Sequence, residues 1–314
     1  MPRAALRAAA KQDGLRVLTI NDVAIDDTFA EAFPMTAARL VVTAATAEWA
    51  RTAGRTATGY AASVIGCDAE AGIERELSPD ETPDGRPGIS LLLFAFSRDA
   101  LQKAVVNRVG QCILTCATTA CYNGLPVVKD KALRVGGTLR FFGDTFQISK
   151  KLDGRRYWRV PVMDGEFVCE DYFGTVKGVA GGNFLVLGRT LEDALAAAEA
   201  AAAAIGRVAG VIAPFPGGIV RSGSKVGSRY KKLRASTNDA FCPTLRGLVK
   251  TELPEDVGAV YEIVIDGLDL AAVEEATRTG VRAACRPGII RISAGNYGGK
   301  LGPYHLHLHR LLAP

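Results

Sequence analysis

The chain has 314 residues, 48% hydrophobic and 23% charged, with a formal net charge of +5. That length admits two ordinary domains, and that balance belongs to a folded protein with a sizeable core, which excludes global disorder. No apolar run reaches the roughly 18 residues of a membrane-spanning helix, and the mild positive charge favours anionic partners without specifying them.

Residues 1–17 are rich in Arg and Ala and lack an apolar core segment, so they read as a loose N-terminal arm, not a secretory signal. The seven cysteines are odd in number and include no Cys-x-x-Cys, which points to free thiols in a reducing cytoplasm. Cys112, Cys116 and Cys121 cluster without a familiar metal spacing. A strand is expected over 40–43 and a helix over 47–58. Strands follow over 63–65, 72–77 and 89–96, then a helix over 98–107 and a strand over 112–115. Hairpins over 138–151 and 155–168 are added, with a turn at Met163-Asp164-Gly165. The second half opens on a strand over 183–187. A helix starts at Thr190, where Thr190 and Asp193 resemble a capping box, and Gly206 is a natural stop. Strands over 211–213, 218–222 and 259–265, a helix over 270–284 and a strand over 289–293 complete it.

Small matches recur in the same order in both halves. Asp27-x-Phe29 answers Asp171-x-Phe173, and Leu40-Val41-Val42 answers Phe184-Leu185-Val186. Gly72-Ile73-x-Arg75 answers Gly218-Ile219-x-Arg221; Pro83 pairs with Pro254, Gly110 with Gly288, and Thr115 with Ser293. Gly136-Gly137-x-Leu139 echoes Gly298-Gly299-x-Leu301. The expected fold is α+β, two related ferredoxin-like (split βαβ) lobes with inserted hairpins. The expected division is an arm at 1–17, an N-terminal lobe at 18–150 and a C-terminal lobe at 151–314. The interval from Arg221 to Pro254 is far longer than that from Arg75 to Pro83, so the second copy carries an insertion. Long loops on a rigid scaffold commonly carry function.

The stretch 213–228 (Ala-Pro-Phe-Pro-Gly-Gly-Ile-Val-Arg-Ser-Gly-Ser-Lys-Val-Gly-Ser) leads into that insertion. Its glycines permit sharp turns, and free N–H groups with Arg221 and Lys225 suit an anionic or carbonyl-bearing ligand. Arg229, Lys231, Lys232 and Arg234 extend the basic run, which reads equally as a solvated loop or an anion clamp. Glu262 lies in Val-Gly-Ala-Val-Tyr-Glu-Ile-Val-Ile, on the strand face of Val260 and Val264. A carboxyl between apolar neighbours should titrate high and can act as a neutral acid near pH 7, unless the face is open or a cation pairs with it. His305, His307 and His309 share one face if the tail is a strand, but the outer pair would then stand about 13 Å apart, too wide for one metal ion. A polar face or a subunit contact is the better reading there. The turn 293–300, with Asn296 and Lys300, and Asn183 after Gly181-Gly182 add polar loops outside any dinucleotide or phosphate-loop pattern.

Several stretches together resemble one family: 27–33 (Asp-Thr-Phe-Ala-Glu-Ala-Phe), 81–88 (Glu-Thr-Pro-Asp-Gly-Arg-Pro-Gly), 179–184 (Val-Ala-Gly-Gly-Asn-Phe), 213–228, 236–240 with Cys242-Pro243, and 292–301. From about residue 20 to 311 the chain is similar to formylmethanofuran–tetrahydromethanopterin formyltransferases, in the form found in methylotrophic bacteria. The resemblance implies a two-lobed α+β fold, a cytoplasmic location, and a tetramer built as a dimer of dimers. It also implies further subunits of a formyltransferase/hydrolase complex, no nucleic-acid or membrane partner, and no bound metal, flavin or nucleotide. The implied reaction moves a formyl group reversibly between N5 of a tetrahydromethanopterin-type pterin and the amine of a methanofuran-type coenzyme, both co-substrates. In methylotrophs a partner hydrolase then releases the group as formate.

On that chemistry Glu262 corresponds to the family's catalytic glutamate. Arg221, Lys225, Arg229 and Lys300 become clamps for coenzyme carboxylates. Phe215, Gly217, Gly218, Ser222, Ser224, Asn183 and Asn296 become further substrate contacts. Two other readings stay open from the residues alone: a basic RNA-binding module, although no RNP-type aromatic signature appears, and an inactive scaffold protein.

Overall fold

The structure is a computed structural model describing residues 18–313; the arm expected over 1–17 lies outside the described residues. Two compact units form. One is Pro34–Gly178; the other joins the described residues up to Phe33 with those from Val179 onward. The chain passes between units inside the strand Phe29–Thr43 and again inside Val176–Gly188. The sequence placed one boundary at 150/151, among the hairpins between the two repeats, whereas the compact units divide inside two strands, which no local pattern marks.

In the Pro34–Gly178 unit the first strand lies between Gly88–Ala95 and Ala120–Asn123, and Glu70–Leu77 pairs with the outer edge of Gly88–Ala95. Helices Ala47–Thr58 and Arg98–Arg108 start where Thr46 and Ser97 accept hydrogen bonds from Trp49 N and Ala100 N, satisfying donors that a helix leaves free at its first turn. Leu91 and Leu93 pack with Ala53 and Leu101 in one core. An extension follows: Gly165–Glu170 pairs parallel to Ala120–Asn123, then antiparallel to Arg155–Val162, which pairs with Ile148–Leu152.

The other unit repeats this order. Val176–Gly188, from Val179 on, lies between Ala259–Gly267 and Ile289–Ser293, and Val211–Ile212 pairs with the outer edge of Ala259–Gly267. Thr190 caps helix Leu191–Ile205 by accepting from Asp193 N at 3.1 Å. That helix and Leu270–Ala284 cover one sheet face, where Phe184, Val186, Ile263 and Ile265 meet alanines such as Ala197 and Ala201. Small side chains permit the close approach: a Cβ at Gly280 would stand 2.8 Å from Ile205 Cδ1. Hairpin Leu18–Ile20 and Val23–Ile25 runs beside Ile289–Ser293, and Phe29–Ala32 pairs with Tyr304–His307.

Four expected elements differ. Residues 63–65 form a turn, because Ser63 O accepts from Gly66 N and Cys67 N. Residues 112–115 prolong the preceding helix as the wide turn Val109–Ile113, which buries Val109 and Ile113, and the strand comes later at Ala120–Asn123. The first expected hairpin begins as helix Gly136–Leu139. The strand expected over 218–222 reduces to the turn Pro216–Gly218 and a single bridge at Val220.

Candidate functional site

Strand Ala259–Gly267 alternates, sending Ile263 and Ile265 toward the helices and Val260, Glu262 and Val264 to the opposite face. Register places Leu185 opposite Glu262 and Ser293 opposite Leu185. The insertion folds back over this face, where its Phe241 and Leu253 pack with Leu185, Leu187 and Val260. On the other flank Val220 and Glu262 exchange both backbone hydrogen bonds, at 2.8 and 3.1 Å. The opening glycine-rich stretch therefore walls the strand that carries the carboxyl.

Glu262 is 9% exposed. Its carboxyl has no hydrogen bond or ion pair among the described residues. Burial alone pushes its pKa up to about 7, since desolvation penalises the charged form. The group thus exchanges a proton at neutral pH.

Next to it lies the turn that follows Ile289–Ser293. Glu31, 1% exposed on the neighbouring strand Phe29–Thr43, holds this turn. Its Oε1 accepts from Tyr297 N and Gly299 N and its Oε2 from Leu301 N, each at 2.6 Å. Gly298 and Gly299 take φ of 70° and 74°, and the alternate N–H groups of Tyr297, Gly299 and Leu301 turn toward the one carboxylate, while Gly298 N donates to Asn296 Oδ1. Burial raises the Glu31 pKa, but the backbone donors at Tyr297, Leu301 and Gly299 outweigh it, so the group sits below its usual value. Tyr297 then reaches the insertion, its phenol donating to Ser224 O at 3.1 Å. Burial and then the nearby Glu262 charge push that phenol's pKa up.

The expected residues divide into four groups. Glu262, Ser224 and Asn183 come together with this turn; Asn183 is buried, and its Oδ1 accepts from Gly295 N at 2.8 Å. Phe215, Gly217 and Gly218 shape the wall: Phe215 O accepts from Gly218 N at 2.8 Å, and both glycines have positive φ. Lys225 is bound to Asp239 at 2.6 Å, so its charge is already partnered. Arg221, Ser222, Arg229 and Lys300 are exposed, and the three cations among them have no ion pair among the described residues. Asn296, also exposed, donates to Thr28 Oγ1 at 3.0 Å.

The tail histidines do not converge. His305 and His307 stand on a strand with ring centroids 6.4 Å apart, each beside Phe29, while His309 belongs to helix Leu308–Leu312 and bonds Ile25 O at 2.8 Å. Sequence reasoning missed Glu31 and Tyr297. The signal was present, because Glu31 is a carboxylate in an apolar strand, the pattern that singled out Glu262.

A family model for formylmethanofuran-tetrahydromethanopterin formyltransferase matches residues 18–162, and one for the proximal lobe of that enzyme matches 165–311. A formylmethanofuran–tetrahydromethanopterin formyltransferase of Methylobacillus flagellatus is 57% identical over 94% of this chain and 100% of its own length. A component of the formyltransferase/hydrolase complex of Methylorubrum extorquens is 53% identical over 94% of this chain and 97% of its own. Among solved structures, the Methanosarcina barkeri formyltransferase superposes with a TM-score of 0.90 at 50% identity, covering 94% of this chain and 100% of its own. The Methylorubrum extorquens formyltransferase/hydrolase complex with methylofuran gives 0.91 at 52% identity, covering 94% and 99%. Matched along both units at such identity, the chain belongs to the formylmethanofuran–tetrahydromethanopterin formyltransferase family.

Proposed function

We propose that this chain transfers a formyl group reversibly between N5 of a tetrahydromethanopterin-type pterin and the amine of a methanofuran-type coenzyme, with Glu262 as its proton-handling group. Both coenzymes are co-substrates, and no prosthetic group takes part. One observation carries the assignment of Glu262: its carboxyl is buried with no partner among the described residues, which pushes its pKa up to about 7.

The chemistry needs such a group. The incoming nitrogen adds to the formyl carbon and gives a tetrahedral oxyanion. The weakly basic pterin nitrogen attacks as a neutral amine. The alkylamine of the furan coenzyme must lose a proton when it attacks and gain one when it leaves. Glu262 takes the proton from whichever nitrogen attacks and passes it to the nitrogen that leaves, so N5 gains a proton as the alkylamine is formylated and loses one in the reverse direction, which a pKa near the working pH favours. In its neutral form it also donates a hydrogen bond, which favours the oxyanion over the planar formamide. Exposed Arg221, Arg229 and Lys300 offer charge to coenzyme carboxylates.

The experiment is a spectroscopic transfer assay with the formylated pterin and the furan coenzyme. Glu262→Gln should lower kcat about 100-fold or more while KM changes little. Unchanged kcat would remove Glu262 from the mechanism. Absence of transfer by the native chain, alone and with its complex partners, would sink the whole reading. We further place the chain in the cytoplasm, as a tetramer (a dimer of dimers) that assembles with other formyltransferase/hydrolase subunits. Light scattering on the purified chain should give four times the chain mass, and a monomer mass would exclude the tetramer.

A further inference from the structure

The Pro34–Gly178 unit contains a cavity of about 590 Å³, within the range of small-molecule sites. Its lining carries five cations, Arg134, Arg140, Lys151, Arg155 and Arg156, against the two carboxylates Glu170 and Asp171. Glu170 is fully engaged: Arg155 Nε donates to its Oε1 at 2.7 Å, and Asn123 N to its Oε2 at 3.0 Å. Arg156 donates to Ser149 Oγ at 2.8 Å and approaches Asp171 Oδ2 at 3.8 Å. Arg134, Arg140 and Lys151 have no ion pair among the described residues.

The architecture keeps these charges together at a cost. Lys151 and Arg156 stand directly opposite one another on Ile148–Leu152 and Arg155–Val162, a like-charge pairing that destabilises a sheet unless something offsets it. The Arg140 guanidinium lies 4.6 Å over the Trp158 ring, which fixes its head group beside the cavity. The Trp158 ring also lines the cavity, and its Nε1 is buried with no hydrogen-bond partner among the described residues, an unmet donor that costs free energy.

We propose that this cavity binds a small polyanion bearing two or more phosphate or carboxylate groups. Arg134, Arg140 and Lys151 supply the charge beside the Trp158 ring. The lining belongs wholly to the Pro34–Gly178 unit, whereas Glu262 belongs to the other.

The chain contains only two tryptophans, Trp49 and Trp158, so Trp49→Phe leaves a single reporter inside the cavity. This protein is titrated with inorganic pyrophosphate and with citrate at constant ionic strength. A saturable change in Trp158 emission, half-complete below about 1 mM, is expected for at least one probe. Adding Arg134→Gln and Lys151→Gln, both at exposed side chains, should weaken that binding tenfold or more. Tighter pyrophosphate assigns the site to phosphates, and tighter citrate to carboxylates. A response no different from added sodium chloride for both probes, or an affinity unmoved by the double substitution, overturns the proposal.

Discussion

Two buried carboxyls in one unit are held in opposite protonation regimes by their surroundings. Glu262 meets apolar neighbours and rises to about 7, whereas Glu31 meets three backbone donors and falls. For Glu262 the linkage has a definite sign. Its folded pKa lies above the ordinary value of 4.5, so the folded state holds the proton more tightly. Its stabilising effect is fully present below about pH 4.5 and is lost as pH rises through about 7. Unfolding titrations should therefore show a native chain losing, across that window, on the order of 3 kcal/mol relative to Glu262→Gln. Parallel curves for the two proteins would refute the buried titration. Glu31→Gln tests the other carboxyl. An amide can accept from Tyr297 N and Gly299 N, but its NH2 then faces Leu301 N, donor against donor. The turn should loosen, with about 2 kcal/mol lost and faster amide exchange at Tyr297, Gly299 and Leu301. Exchange at native rates would show that Glu31 does not hold the turn.

Elements whose local chemistry agreed with their tertiary setting were legible in the sequence. The helix over 270–284 and the strand over 289–293 fall where periodicity placed them. The misplaced strands at 63–65 and 112–115 have β-branched residues but lack a partner; a captured Ser63 carbonyl and a prolonged helix decide them instead. The hairpin turn at Met163-Asp164-Gly165, where Gly165 pairs with Val162 and takes a φ of 130°, was readable from its residues. Loop geometry was less so. The matched glycine pairs Gly136-Gly137 and Gly298-Gly299 enter a helix in one unit and a left-handed turn in the other. Element packing also makes a sharp demand at Gly258, whose N donates to Gly188 O at 2.9 Å and where a Cβ would stand 2.2 Å from Arg189 O. Backbone cannot retreat as a side-chain tip can, so Gly258→Ala should cost about 2 kcal/mol or more in a denaturant melt. An unchanged midpoint would mean that the strand start is free to shift.

Across the whole molecule, the duplication was visible because both units keep the same alternation of strands and helices, with the first strand between the third and the fourth. The insertion was visible because it broke that duplication. What stayed hidden was the use of 18–33, which completes the unit formed mainly by the second half. No local pattern announces a pairing between residues so distant in sequence, such as His305 with Glu31. That pairing has a consequence for how the protein meets its substrates. The turn at 296–301 is an anion socket already filled by the chain's own Glu31. It is therefore a lock turned before any coenzyme arrives. Binding need not spend free energy on ordering it.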